Sequence, residues 1–164
     1  MDKQIKIREG EPNARGLRFA IIASYFYPFI VDQLLDAAVD TLLKHNADAS
    51  DIEVIKVPGA FEIPMMAKKL AASNRYDAIV ALGCVIRGET AHFDFVAGEC
   101  SKGIAQVSLD YEIPVGFGVL TVDTAEQALE RAQPETKARN KGNKGVDAAL
   151  SALEMATLLR RLEL

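Results

Sequence analysis

The segment Gly88-Glu89-Thr90 has the residue types best suited to holding an anion. It precedes a helical pattern, and a helix N-terminus presents free backbone N–H groups and the positive end of its dipole, which favour phosphate. Thr90 can add a hydroxyl donor. The same residues suit an ordinary helix cap, in which Thr90 satisfies the helix's own N–H groups and Glu89 complements the dipole. Position alone leaves both interpretations open.

His92 falls in the first turn of the same predicted helix, within reach of a ligand at its N-terminus. An imidazole can accept a proton and return it near neutral pH, so His92 is a candidate general base and acid. A solvent-facing surface histidine is the alternative. The neighbouring Gly88-Glu89-Thr90 turn favours the proton-transfer interpretation.

Four aromatic residues surround Pro28, namely Tyr25, Phe26, Tyr27 and Phe29. Such rings can offer a flat face to a planar ligand. Phe29 can pack against the core from the helix that follows. The three successive aromatic residues Tyr25, Phe26 and Tyr27 cannot all face one core. We expect at least one of them to line a cleft or an interface.

Two further segments carry charged groups suited to ligands. Phe61-Glu62-Ile63-Pro64 places a carboxylate beside backbone N–H groups at a helix start, which suits a polyhydroxyl or amide-bearing ligand, although helix capping explains it nearly as well. A later polar loop carries Lys137, Arg139, Lys141 and Lys144. Those cations are typical of a solvated run, and their spacing singles out no ligand.

Metal and disulfide chemistry find no support. Cys84 and Cys100 lack any CxxC spacing and are interpreted as two buried thiols. His45 and His92 lie far apart, and neither has a second His or Cys at ligand spacing. The sequence predicts no metal site.

The elements that position these residues alternate short apolar runs with stretches of helical period. Strands are predicted over residues 19–24, 52–57, 78–86 and 115–121, and helical patterns follow each of them, the last over residues 146–161. This alternation predicts an α/β fold, a flavodoxin-like three-layer αβα sandwich with a four-stranded parallel sheet. Ligands of such sheets lie beyond the carboxyl ends of the strands. The loops to search are therefore residues 25–29, 58–62, 87–92 and the loop after Thr121.

Size and charge limit the class of protein. A chain of 164 residues, 49% of them hydrophobic, can bury one sizeable core, and we predict an N-terminal arm over residues 1–16 and a single domain over residues 17–164. The net charge of −4 argues against nucleic-acid binding. The first residues lack a leader pattern and no apolar run approaches membrane-spanning length, so we expect a soluble cytoplasmic protein. The charged residues 3–11 fit a loose tail and pairing with a neighbouring subunit's sheet equally well.

Two segments resemble the signature loops of the lumazine synthase family. They are residues 57–64, VPGAFEIP, and residues 82–93, LGCVIRGETAHF. Weaker likenesses are KGIA at residues 102–105, the strand at residues 114–121, QALERA at residues 127–132 and GNKG at residues 142–145. The resemblance extends over nearly the whole chain from Leu17.

This resemblance implies a transferase that needs no cofactor. Members condense 5-amino-6-ribitylaminouracil with 3,4-dihydroxy-2-butanone 4-phosphate, releasing phosphate and water to leave 6,7-dimethyl-8-ribityllumazine, the penultimate step of riboflavin biosynthesis. His92 is similar in position to the family's proton-transfer histidine. Imine formation, phosphate elimination and ring closure each move protons, which suits that residue.

The resemblance also implies a set of site residues. Phe26 would stack on the pyrimidine ring, and Ala60 and Glu62 would hold the ribityl chain. The other implied substrate contacts are Tyr27, Phe61, Cys84, Val85 and Ile86, and the implied phosphate contacts are Gly88, Glu89 and Thr90. Family members complete each site with the neighbouring subunit of a homopentamer, so Phe117, Arg131 and Lys144 would act across the interface. Arg131 would then bind the phosphate through two hydrogen bonds. Riboflavin synthase is a candidate partner protein.

The chain departs from the family pattern at two places. Tyr27 stands where an asparagine is common, so the polar contact of that asparagine is either lost or replaced by the tyrosine hydroxyl. Residues 133–141 form a longer connection than is typical of members that build sixty-subunit icosahedral shells. We therefore predict a free pentamer, or a pair of pentamers, rather than a capsid.

A non-catalytic protein that binds flavin or lumazine on the same scaffold is the alternative function. Such a carrier needs stacking and ribityl contacts but neither a proton shuttle nor a second phosphate clamp. The presence of His92, Arg131 and Lys144 favours the enzyme. The longer loop disfavours a structural shell protein, and Ser24-Tyr25 at the first strand's end, in place of an acidic pair, disfavours a phosphoacceptor signalling domain.

Overall fold

A central parallel sheet organises the computed structural model, which describes residues 4–134 and 142–162. The strands are β1 (Phe19–Ser24), β2 (Ile52–Val57), β3 (Ala78–Ile86) and β4 (Val115–Val122). Their order across the sheet is β2-β1-β3-β4, and every pairing is parallel. The predicted four-stranded parallel sheet is confirmed, with β4 extending one residue beyond its predicted end.

Within the described residues, five α-helices cover the two faces of the sheet. They are α1 (Pro28–Lys44), α2 (Ile63–Ala72), α3 (His92–Tyr111), α4 (Ala125–Ala132) and α5 (Lys144–Leu162). Helices α1, α4 and α5 pack on one face, and α2 and α3 pack on the other. This arrangement confirms the flavodoxin-like three-layer sandwich. The predicted cations Lys137, Arg139 and Lys141, and the middle of the long loop, lie outside the described residues.

Because the sheet is covered on both faces, its inner strands are apolar on both faces rather than alternating, apart from the buried Ser24 at the end of β1. All six residues of β1 are buried. Phe19, Ile21 and Ala23 join the core beneath α1 and α5, whereas Ala20 and Ile22 join the core beneath α2 and α3. The sheet therefore separates two cores, and β1 and β3 contribute to both.

Helix α5 packs unusually close to β4 because both elements present small residues. A Cβ at Gly116 would lie 2.0 Å from the carbonyl oxygen of Ala148. A Cβ at Gly118 would lie 3.1 Å from the Cβ of Ala148 and 2.6 Å from Cδ2 of Leu82. Side chains at these two positions would force the helix off the sheet.

The N-terminal segment contacts the end of α5. The backbone N–H of Glu11 donates to the Thr157 hydroxyl at 2.8 Å, and that hydroxyl donates to the Glu11 carbonyl at 3.0 Å. Arg161 donates to the Glu9 carbonyl at 2.9 Å. Ala14 is fully buried, and its N–H donates to the His45 carbonyl at 2.7 Å. The division into an arm and a domain stays a prediction.

Gly116→Ala should destabilise the fold, since the new methyl group would meet the α5 backbone rather than a movable side chain. Overpacking of this kind costs about 1–3 kcal/mol of unfolding free energy. Gly98→Ala is the matched control: Gly98 lies inside α3 with nothing within 4 Å of its would-be Cβ, so alanine should stabilise by about 0.5–1 kcal/mol. Chemical denaturation measures both changes. Equal stability of Gly116→Ala and the wild type would contradict the close packing.

Candidate active site

A cleft of about 590 Å³ opens at the carboxyl edge of the sheet. Three of the predicted strand-end loops line it, those after β1, β2 and β3. The lining residues named in the sequence analysis are Phe26, Tyr27, Ala60, Phe61, Glu62, Cys84, Val85, Ile86, Gly88, Thr90 and His92. Parallel pairing brings them together because every strand ends at the same edge.

Two aromatic residues form one wall of the cleft. The rings of Phe26 and Tyr27 meet edge to face, with centroids 4.7 Å apart and planes at 79°. Both side chains are substantially exposed. The expectation that Phe29 packs against the core from its helix is wrong, since its side chain is 72% exposed. Phe29 is the second residue of α1, and it faces away from the core that contains the buried side chains of Ile30 and Val31.

The loop after β2 supplies a carboxylate that no helix cap uses. Ala60 is buried, whereas Phe61 and Glu62 are exposed at the start of α2. Glu62 occupies the cap position of α2, but its side chain makes no capping hydrogen bond. A Cβ on Gly59 would lie 3.2 Å from Oε2 of Glu62, so the carboxylate lies above the Gly59 backbone. The structure therefore contradicts the interpretation that the Glu62 side chain caps α2.

The end of β3 forms the floor of the cleft. Cys84, Val85 and Ile86 all line it, and the first two are buried. Burial raises the pKa of the Cys84 thiol to about 12. The thiol therefore stays protonated at neutral pH, and Cys84 contributes an apolar surface rather than a nucleophile.

The turn after β3 leads into the N-terminus of α3. Gly88, Glu89 and Thr90 are exposed, and Gly88 and Thr90 line the cleft whereas Glu89 does not. The α3 cap residue is Ala91, which offers no side-chain cap. The Thr90 hydroxyl accepts only a long hydrogen bond, 3.4 Å, from the His92 N–H. This geometry leaves the helix N-terminus open toward the cleft.

Arg87 anchors this turn, a role that sequence reasoning missed. Its Nε lies 3.0 Å from the Asp123 carboxylate and its Nη1 lies 3.4 Å from the Asp94 carboxylate. The guanidinium carbon lies 4.4 Å from the centroid of the Phe93 ring, and the backbone N–H donates to the Val122 carbonyl at 2.8 Å. The available signal was that Asp123 directly follows β4, the neighbour of β3.

Three predicted site residues lie away from the cleft. Phe117 lies in a groove between α3 and β4 with Ile104 and Leu109. Arg131 donates to the Gln127 carbonyl at 2.9 Å within α4, and Lys144 contacts the Asp147 carboxylate at 3.2 Å at the start of α5. The single chain therefore does not bring Phe117, Arg131 or Lys144 to the residues that line the cleft.

Sequence reasoning did not assign Gly59, Phe93, Phe95 and Val96 to the site, yet all four line the cleft. Phe95 lies three residues after His92 on α3, so helical spacing places both on one face and could have identified it. Its side chain is 70% exposed. Phe93 and Val96 also pack against the core beneath α2 and α3, so they serve both the core and the cleft wall.

Two kinds of feature are absent from residues 4–134 and 142–162. No group of three or more His, Cys, Asp or Glu side chains in these ranges is placed to hold a metal ion. No helix there is both long and apolar enough to cross a membrane.

Comparison with known proteins assigns the chain to a family. Residues 16–160 match the family model of 6,7-dimethyl-8-ribityllumazine synthase. A protein of that name from Nitratidesulfovibrio vulgaris is 54% identical over 158 residues, which cover 96% of this chain and 98% of the relative. Another, from Clostridium kluyveri, is 53% identical over 159 residues, covering 97% of this chain and 100% of the relative. The chain therefore belongs to the 6,7-dimethyl-8-ribityllumazine synthase family.

Proposed function

We propose that the cleft condenses 5-amino-6-ribitylaminouracil with 3,4-dihydroxy-2-butanone 4-phosphate to give 6,7-dimethyl-8-ribityllumazine, phosphate and water. The observation that carries this proposal is that three features line one cleft: an aromatic wall, an open helix N-terminus and a histidine. The reaction needs a surface for a planar ring, a phosphate site and a group that moves protons between them.

The phosphate would bind at the N-terminus of α3. The space around Gly88 is open, since a Cβ there would meet nothing within 4 Å, and the Thr90 hydroxyl is only weakly engaged. Backbone N–H groups and the helix dipole favour an anion there. Because the Arg87 guanidinium is already paired with Asp94 and Asp123, we assign it to holding the turn rather than to the phosphate.

The pyrimidine would stack on the Phe26 ring of the aromatic wall, near the end of β3. Its ribityl hydroxyls would then reach Glu62 and the backbone near Ala60, where the uncapped carboxylate can accept several hydrogen bonds. His92, the first residue of α3, would stand between the ring and the phosphate site and transfer protons during imine formation, phosphate elimination and ring closure. Holding two reactive molecules in one orientation would supply much of the rate.

A carrier of flavin or lumazine would use the aromatic wall and the ribityl contacts alone. The location of His92 next to the phosphate turn, on the same cleft, favours catalysis over carriage. Protein-dependent formation of lumazine and free phosphate in equal amounts from the two substrates would test the proposal. Tight binding of lumazine without either product would contradict it.

We further propose that a second copy of the chain completes each site, in a homopentamer or a pair of pentamers. Large apolar side chains are exposed beside the cleft and on α3 and β4, namely Phe61, Met65, Phe95 and Phe117. Exposed apolar surface of this kind is typical of a protein interface.

Riboflavin synthase is a candidate partner protein. The free, buried thiols Cys84 and Cys100 support a cytoplasmic location.

His92→Ala should lower kcat about a hundredfold, the typical contribution of general acid–base catalysis, and should leave the KM for the pyrimidine substrate largely unchanged. Steady-state kinetics with either substrate varied measures both constants. His45→Ala is the control, because that side chain lies at the end of α1, where its Nδ1 contacts the Thr41 carbonyl at 2.7 Å. Unchanged turnover in His92→Ala would remove this residue from the mechanism.

Arg131→Ala should raise the KM for the butanone phosphate about tenfold to a hundredfold and leave the KM for the pyrimidine unchanged. The reason is that hydrogen bonds to charged groups are worth about 1.5–3 kcal/mol. Arg75→Ala removes the same charge near the exposed Glu53, away from the cleft, and serves as the control. Equal weakening of both substrates would indicate an assembly defect and contradict the clamp.

Light scattering should give a particle of five or ten chains. A particle near sixty chains would contradict the proposed assembly.

Mixing two variants tests whether each site is shared between subunits. Refolding His92→Ala together with Arg131→Ala should restore part of the activity, because some sites then combine an intact His92 with a neighbour's intact Arg131. No restoration would place both residues in one chain's site.

A further inference from the structure

We infer that Tyr27 is a positioning residue for the pyrimidine substrate: its left-handed backbone holds an aromatic ring against Phe26 and so fixes the plane on which the substrate stacks. The inference rests on the proposed function and adds a role that acts through Phe26 rather than by direct contact. Three features carry it: the backbone of Tyr27, the helix start that enforces this backbone, and the ring pair.

The backbone of Tyr27 lies in the left-handed region, with φ 56° and ψ 59°. A residue with a bulky side chain rarely adopts this conformation, which Asn and Gly tolerate better. Asn46 and Asn74, two of the other non-glycine residues with positive φ, follow the ends of helices and carry the tolerant amide. Tyr27 instead precedes a helix and lines the cleft.

The buried start of α1 enforces this conformation. The Tyr27 carbonyl accepts hydrogen bonds from the N–H groups of Ile30 and Val31, both at 3.1 Å, and the side chains of those two residues are buried. Pro28, the next residue, disfavours the right-handed helical region for Tyr27. The fold therefore imposes the backbone conformation at position 27 on any residue that occupies it.

The ring pair is what tyrosine adds at this position. Phe26 and Tyr27 form an aromatic pair with centroids 4.7 Å apart at 79°, the edge-to-face geometry in which turning either ring disturbs the other. The Phe26 side chain is 59% exposed, and exposed rings otherwise change rotamer freely. Within the described part of the chain, the Tyr27 hydroxyl makes no hydrogen bond. The ring, not the hydroxyl, therefore carries the proposed role.

Two variants separate these features. Tyr27→Asn suits the left-handed backbone and removes the ring, whereas Tyr27→Phe keeps the ring and removes only the hydroxyl. Tyr27→Asn should raise the KM for the pyrimidine about two- to tenfold, the range that loss of an aromatic pair gives, without changing the KM for the butanone phosphate. Tyr27→Phe, which keeps the ring, should raise the KM for the pyrimidine less than Tyr27→Asn does.

A double-mutant cycle with Phe26→Leu tests whether Tyr27 acts through Phe26. If it does, Tyr27→Asn adds no further increase in pyrimidine KM once Phe26 is leucine. Additive effects would overturn the inference in favour of direct contact between Tyr27 and the substrate. An active wild type with an unchanged pyrimidine KM in Tyr27→Asn would also overturn it, whereas an inactive wild type would instead overturn the proposed function.

Discussion

Parallel pairing of β1 with both β2 and β3 is the constraint on which the rest of the structure depends. Ser24 lies opposite Val57, and Phe19 to Ala23 pair in register with Ala78 to Leu82. Since all strands run the same way, the loops that follow them emerge at one edge. The aromatic wall, the Glu62 loop and the phosphate turn belong to three loops far apart in the chain, and this pairing is what places them around one cleft.

The helices that begin at the cleft share the absence of a side-chain cap. The cap residues of α1, α2 and α3 make no side-chain hydrogen bond to their helices, and at α3 the Thr90 hydroxyl accepts one long bond, 3.4 Å, from the His92 N–H. Helix α4, outside the cleft lining, has a reciprocal cap: the Thr124 hydroxyl accepts from the Gln127 N–H at 3.1 Å, and the Gln127 side chain accepts from the Asp123 N–H at 2.8 Å. A capping box typically stabilises a helix, so its absence at the cleft leaves donors free for substrates at some cost in stability.

Local patterns predicted the elements well because each pattern is sustained over a whole strand or helix. The alternation of apolar runs with helical stretches predicted a parallel sheet covered by helices on both faces, and the structure confirms it. Phe29 was assigned wrongly because hydrophobic character alone does not tell which way the first turn of α1 faces. Thr90 and Glu62 stayed ambiguous because capping and ligand binding need the same residue types at the same position, and only the observed hydrogen bonds separate the two.

Residue types and their spacing were enough to predict the order of the elements, the edge of the sheet that holds the site and, through two loop motifs, the family. These follow from residue type and short-range spacing, which the chain carries at every position. The tertiary structure alone decided the anchoring of Arg87 by Asp94 and Asp123, the left-handed backbone of Tyr27, and the separation of Phe117, Arg131 and Lys144 from the cleft. Those features depend on how distant segments pack against one another, and no local pattern specifies such distances.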